Sequence, residues 1–235
     1  MKNKLIRIIT ATACITAIAA TSGCVEVPPN EGRAAFESES LDIALTVVID
    51  LSGSFSHTWD AAGFAHFQQL TDLFFRESLG AESRLTIGQL SGNTQTMIWE
   101  GSGHDLRRSF QSPADFANFV KASIAAADRG SSPVSQSIAN AIRYVEGTPN
   151  LTPRTRKLTV LYSDLMDTGS SEEDERDMLE TLKRYTESGG GIALYYAEPS
   201  VRPVYLQKFA NAGLNPRSYC VETRLVARPP LPSFD

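Results

Sequence analysis

The sequence predicts an α/β domain with a doubly wound, mostly parallel six-stranded sheet, one antiparallel strand and helices on both faces. Three observations carry this reading. Short apolar, β-branched runs recur along the chain, and stretches with apolar residues at three- and four-residue steps separate them. Two of the runs are joined by a tight Ser91-Gly92-Asn93 turn.

The first run, Ile43 to Ile49, is nearly continuous, as befits a central parallel strand covered on both faces. Thr58, Trp59, Gly63, Phe67, Leu70 and Phe74 then recur with helical spacing. Arg84 to Leu90 and Thr94 to Trp99 flank the turn and form a hairpin. Two helical patterns follow, Phe116, Phe119, Val120 and Ile124, then Val134, Ile138, Ile142 and Val145. Leu158 to Tyr162 is the next strand, Met178, Leu182 and Tyr185 mark a helix, and Ile192 to Ala197 returns to strand. A helix over Val201 to Ala212 and a strand over Ser218 to Thr223 complete one domain at 42–223. The flanks differ: 24–41 reads as a flexible tether, and the Pro-rich tail 224–235 as an unstructured terminus.

Composition narrows the function. Hydrophobic residues at 42% and charged residues at 21% exclude disorder and a polytopic membrane protein. The formal net charge is -5, yet Lys2, Lys4 and Arg7 all lie in the first 24 residues, which hold no acid. Without those three of the 22 Lys+Arg, 19 face 27 Asp+Glu, a net charge of -8. So acidic a body is unsuited to gripping nucleic acid.

The three basic residues precede an apolar run from Ile8 to Ala20, shorter than the about 20 residues a membrane-spanning helix needs. That is the pattern of a signal peptide over 1–23. Thr21-Ser22-Gly23-Cys24 resembles the lipobox of bacterial lipoproteins, although Thr21 stands where that family usually has Leu. The resemblance implies that Cys24 is acylated and becomes the new N-terminus. Several acyl chains at about 0.8 kcal/mol per buried CH₂ make a stable anchor. Val25 rather than Asp after the cysteine implies the outer membrane, with the protein facing the periplasm. Cys14 leaves with the signal, Cys24 carries lipid, and Cys220 remains as a small buried hydrophobe, so no disulfide framework is expected.

The chemistry concentrates after the first strand. Asp50, Ser52 and Ser54 stand at i, i+2 and i+4, on one side of an extended segment. One carboxylate and two hydroxyls are hard oxygen donors, suited to Mg²⁺. The strand Leu158 to Tyr162 leads into Ser163-Asp164; laid beside the first strand, it faces Asp164 toward Asp50, and two such carboxylates repel unless a cation lies between them.

Asp50-Leu51-Ser52-Gly53-Ser54 resembles the Asp-x-Ser-x-Ser signature of von Willebrand factor A (VWA) domains with a metal-ion-dependent adhesion site. That family's second loop supplies a Thr; here Gly130-Ser131-Ser132-Pro133 puts Ser132 in that place, with Ser131 as the alternative. Its third loop is Thr-Asp-Gly, of which Ser163-Asp164-Leu165 keeps the acid; Asp167 is a second, deeper acid. The resemblance extends over the whole of 42–223. It implies a VWA/Rossmann-like fold and a Mg²⁺ or Mn²⁺ site on Asp50, Ser52, Ser54, Ser132 and Asp164. It also implies a partner protein that offers an acidic side chain to the metal.

Other readings are weaker. A haloacid-dehalogenase-like phosphohydrolase also opens with strand-Asp, but needs a second carboxylate where Ser52 stands. No nucleophile elbow, P-loop or dinucleotide fingerprint is present, so the chain reads as a binding module and not an enzyme. A structural lipoprotein with a vestigial metal site is the third reading. Glu172 to Glu175 follow Ser170 and Ser171 as helix N-terminal acids. His57, His66 and His104 lack zinc-site spacing, and His66 is expected on a helix surface.

Overall fold

The computed structural model describes residues 40–50, 52, 55, 63–76, 82–90, 96–112, 114–116, 118–119, 122, 132–224 and 230–232. The signal peptide, Cys24 and nearly all of the tether lie outside these.

Six strands form one sheet: β1 (Ile43–Asp50), β2 (Ser83–Leu90), β3 (Thr96–Gly101), β4 (Arg156–Tyr162), β5 (Gly190–Tyr195) and β6 (Tyr219–Glu222). Their order is β3-β2-β1-β4-β5-β6, and only β3 runs antiparallel, against β2. β1 lies at the centre because it is apolar on both faces, and all eight of its residues are buried. Its alternation splits the core in two. Ile43, Leu45, Val47 and Ile49 face Phe67 and Leu70 of helix α1 (Phe64–Arg76), together with Phe116. Ala44 and Val48 belong to the opposite core, filled from α3 (Val134–Glu146), α4 (Glu172–Glu187) and α5 (Arg202–Asn211).

A short helix, α2 (Gly103–Ser109), was not among the predicted elements; it is polar and shows no apolar period. Ser102 and Asp105 close its capping box, with the Asp105 N–H donating to Ser102 Oγ at 3.1 Å and the Ser102 N–H to Asp105 Oδ2 at 2.9 Å. Ser171 and Asp174 do the same for α4, which puts the acids Glu172 to Glu175 in its first turn, as the sequence implies. Past the other end of α4, Gly189 takes φ +81, a left-handed residue of the kind that commonly ends helices. Gly190 opens β5 directly against the Tyr185 ring.

Of the Pro-rich tail, residues 230–232 are described and make contacts that an unstructured terminus would not. Tyr195 Oη donates to the Pro230 carbonyl at 2.5 Å and Cys220 Sγ to the same oxygen at 3.3 Å, while Leu231 packs on the α1-side core. Pro230 and Leu231 thus lie against the β5–β6 side of that face. Cys220, half-buried rather than fully so, is a free thiol pushed up to about 12 chiefly by desolvation.

Candidate metal centre

The strand order reverses between β1 and β4, with α1 leaving to one face and α4 to the other, and the crevice this opens lies at the strands' carboxyl ends. Ile49 pairs with Tyr162 across the parallel ladder, so Asp50 and Ser163 form the next rung. Asp50 is fully buried. Its Oδ2 accepts a hydrogen bond from Ser163 Oγ at 2.6 Å. Oδ1 accepts from the Ser52 N–H at 2.9 Å and from Ser132 Oγ at 3.3 Å. Burial pushes the Asp50 carboxyl above its ordinary range despite the Ser163 and Ser52 bonds, and the negative charge of Asp164 adds to the rise. Among the described residues no Lys, Arg or His pairs with Asp50.

Ser132 is free to make its contact because α3 does not use it as a cap. The N-cap is Pro133, which has no side-chain donor or acceptor. Ser132 is locked into the β4–α4 loop through its backbone, donating to Thr168 Oγ1 at 3.1 Å and accepting from the Thr168 N–H at 3.2 Å. The cap that α3 lacks comes from Asp167, whose Oδ2 accepts from the Ser135 N–H at 3.0 Å and Ser135 Oγ at 2.9 Å. Desolvation raises the Asp167 carboxyl, but the Ser135 and Ser170 bonds outweigh it and hold the group below its ordinary value. Asp167 is thus occupied in tying two loops together. Asp164 is half-buried, and its Oδ1 accepts from the Met166 N–H at 2.9 Å.

Of the predicted ligands, Asp50, Ser52 and Ser132 converge, and Asp164 sits close enough to act on Asp50 through its charge. Ser54 and Ser131 lie outside the described residues. The sequence reading missed Ser163. Fully buried, it donates to Asp50 and accepts from the Leu165 N–H at 2.9 Å, with Leu165 in the left-handed region at φ +61. Its signal was its register: it lies one residue beyond the end of a strand paired with β1. His66 is a correction. It is only 3% exposed, not on the helix surface, because it stands four residues before Leu70 on the buried side of α1. Nδ1 is 2.9 Å from the Tyr162 hydroxyl, and desolvation lowers its pKa to about 4.

The donor set fits a hard divalent cation. Around a buried carboxylate with no cationic partner among the described residues stand hydroxyls and a second carboxylate, all oxygen. Among the described residues no cluster of three His, Cys, Asp or Glu forms.

No family model and no curated protein matches the chain. Among solved structures it is similar to the pilus adhesin SpaC of Lactobacillus rhamnosus GG in its open conformation. That likeness has a TM-score of 0.52 at 12% identity, over 80% of this chain but only 28% of SpaC. It is also similar to the SpRpn10 VWA domain (TM-score 0.49, 15% identity, 77% of this chain and 88% of that one). A third is the manganese-loaded Plasmodium vivax TRAP protein (TM-score 0.49, 15% identity, 78% and 68%). At these identities the likeness is one of fold. By its strand order and this likeness, the domain has a doubly wound α/β fold with one antiparallel edge strand.

Proposed function

We propose that this chain is a lipid-anchored cell-envelope protein that binds a partner protein through a Mg²⁺- or Mn²⁺-dependent site. Asp50, Ser52, Ser54, Ser132 and Asp164 would hold the ion. One observation carries the reading: a fully buried carboxylate sits at the switch point of the sheet, ringed by hydroxyls and facing no cation among the described residues. Leaving such a charge unpaired is costly, and a divalent ion is the counter-charge its oxygen surroundings suit.

The bound ion supplies an electrophilic centre for a carboxylate of the partner. The chain's own residues do the rest. Asp50 orients the Ser132 and Ser163 hydroxyls. Asp167 and Thr168 lock the Ser132 loop to the β4–α4 loop, which fixes the spacing of the donors. Three of the five proposed ligands are serines, whose hydroxyls carry no charge, so a cation held largely through them would keep its attraction for an incoming carboxylate. The lipobox at Cys24 and the acidic body support placement at an envelope surface, with no role for nucleic acid.

The test is capture from envelope extracts with and without EDTA. A partner retained in Mg²⁺, released by EDTA and lost with Asp50→Ala is the expected result. Retention that ignores both EDTA and Asp50→Ala would overturn the reading.

A further inference from the structure

Ser163 reaches Asp50 only if the ends of β4 and β5 are held in place, and the aromatic residues there meet at one side chain. The His66 ring lies edge-on to Tyr162, Tyr195 and Tyr196, with centroids 5.5, 4.8 and 6.4 Å away. Its Nδ1 is hydrogen-bonded to the Tyr162 hydroxyl. Tyr162 is the residue before Ser163, and the Tyr195 carbonyl accepts the Ser163 N–H at 3.1 Å. The Tyr195 hydroxyl is itself fastened to Pro230. Ser163 is therefore bracketed by two residues that both pack on one imidazole.

An imidazole is an expensive filler for this position. His66 Nε2 is buried with no hydrogen-bond partner among the described residues, a cost that Leu or Phe would not incur. What imidazole adds over either is the directional bond from α1 to Tyr162. Burial keeps the ring uncharged near neutral pH, so the bond is one between neutral groups.

We propose that His66 is a positioning residue for the metal cradle: through the Tyr162 hydroxyl it sets the end of β4 so that the Ser163 hydroxyl meets Asp50. The inference rests on the proposed metal site for its consequence but not for its geometry, so the test reads both. Amide exchange is measured on the purified full-length chain in mild detergent with EDTA, at Leu165, whose N–H donates to Ser163 Oγ, and at Ser163. Ile142 in the opposite core reports global stability. Mn²⁺ affinity is then measured by electron paramagnetic resonance.

His66→Phe and Tyr162→Phe should each speed exchange at Leu165 and Ser163 about tenfold more than at Ile142, and weaken Mn²⁺ binding several-fold. The double variant should add little to either single one, because both remove the same bond. His66→Asn, whose amide can occupy the place of Nδ1, should restore much of both effects. Tyr162→Phe removes only a hydroxyl and serves if His66→Phe does not fold. Parallel changes at Leu165, Ser163 and Ile142 would make His66 a mere core residue and overturn the proposal. A selective effect on exchange in a protein that binds no Mn²⁺ would uphold the positioning and sink the metal reading instead.

Discussion

Replacing Asp50 with Asn should make the metal-free protein more stable and the metal-loaded protein relatively less so. The carboxylate is fully buried, and its pKa lies above the ordinary range chiefly through desolvation, so the charged form is disfavoured where it stands. Burying an ion costs several kcal/mol, and charge-assisted hydrogen bonds return about 1.5–3 kcal/mol each. The three bonds from Ser52, Ser132 and Ser163 therefore come near to balance without reaching it. A raised acid means that the folded state holds its proton more tightly than the unfolded one, so stability rises as pH falls through the raised value and is diminished at neutral pH. Asp50→Asn removes that buried charge, so in EDTA the variant should be the more stable of the two. For a domain of this size each 1 kcal/mol gained is about 2–4 °C in Tm. In Mg²⁺ at a hundredfold excess over Kd, the wild type gains about 2.7 kcal/mol and the variant nothing. Thermal melts in EDTA and in millimolar Mg²⁺ should cross over: variant above wild type in the first, below it in the second. A variant several kcal/mol less stable in EDTA would refute the reasoning and leave Asp50 as a structural hydrogen-bond acceptor.

His66 makes a second claim on pH. Its folded pKa, lowered to about 4 from an ordinary 6.5, contributes stability that is lost as pH falls from 6.5 through 4, about 3 kcal/mol in all. Denaturant melts should show that loss in wild type relative to His66→Phe, and equal slopes in the two proteins would contradict it. Gly190→Ala should destabilise by about 1–3 kcal/mol through overpacking, because its Cβ would lie 2.5 Å from Tyr185 Cε1 in the buried core; an unchanged Tm would show that the ring yields freely. Cys24→Ser should yield an unlipidated, uncleaved precursor, checked by metabolic labelling with a fatty acid; equal label on both forms ends the anchor hypothesis.

The fold was legible because its strands are short apolar runs. β1 in particular announces a doubly covered central position, and it is buried at every residue. α2 was not legible, since its seven residues, with Leu106 as the one apolar side chain, are held by a Ser102–Asp105 capping box and carry no apolar period. At the site, Asp50 could be picked from residue type and loop position, and Ser132 from the resemblance to the family's second loop, with Ser131 as the alternative. Ser163 could not, because its role depends on the register Ile49 to Tyr162, which pairing across the sheet decides. His66 was misplaced for a related reason. A lone polar residue on the flank of an apolar stripe goes where tertiary packing sends it, and here Tyr162 of β4, Tyr195 of β5 and Tyr196 just past β5 pack around it. In the tail, the contact that composition did not reveal is the Pro230 carbonyl, which accepts from Tyr195 and Cys220.

The most direct test of the metal site is a titration of the purified chain with Mn²⁺, followed by electron paramagnetic resonance, in parallel with Asp50→Ala. The account predicts saturable binding of a single ion by the wild type, displaced by Mg²⁺ and absent from the variant. Binding of equal affinity in both proteins, or none in either, would contradict it.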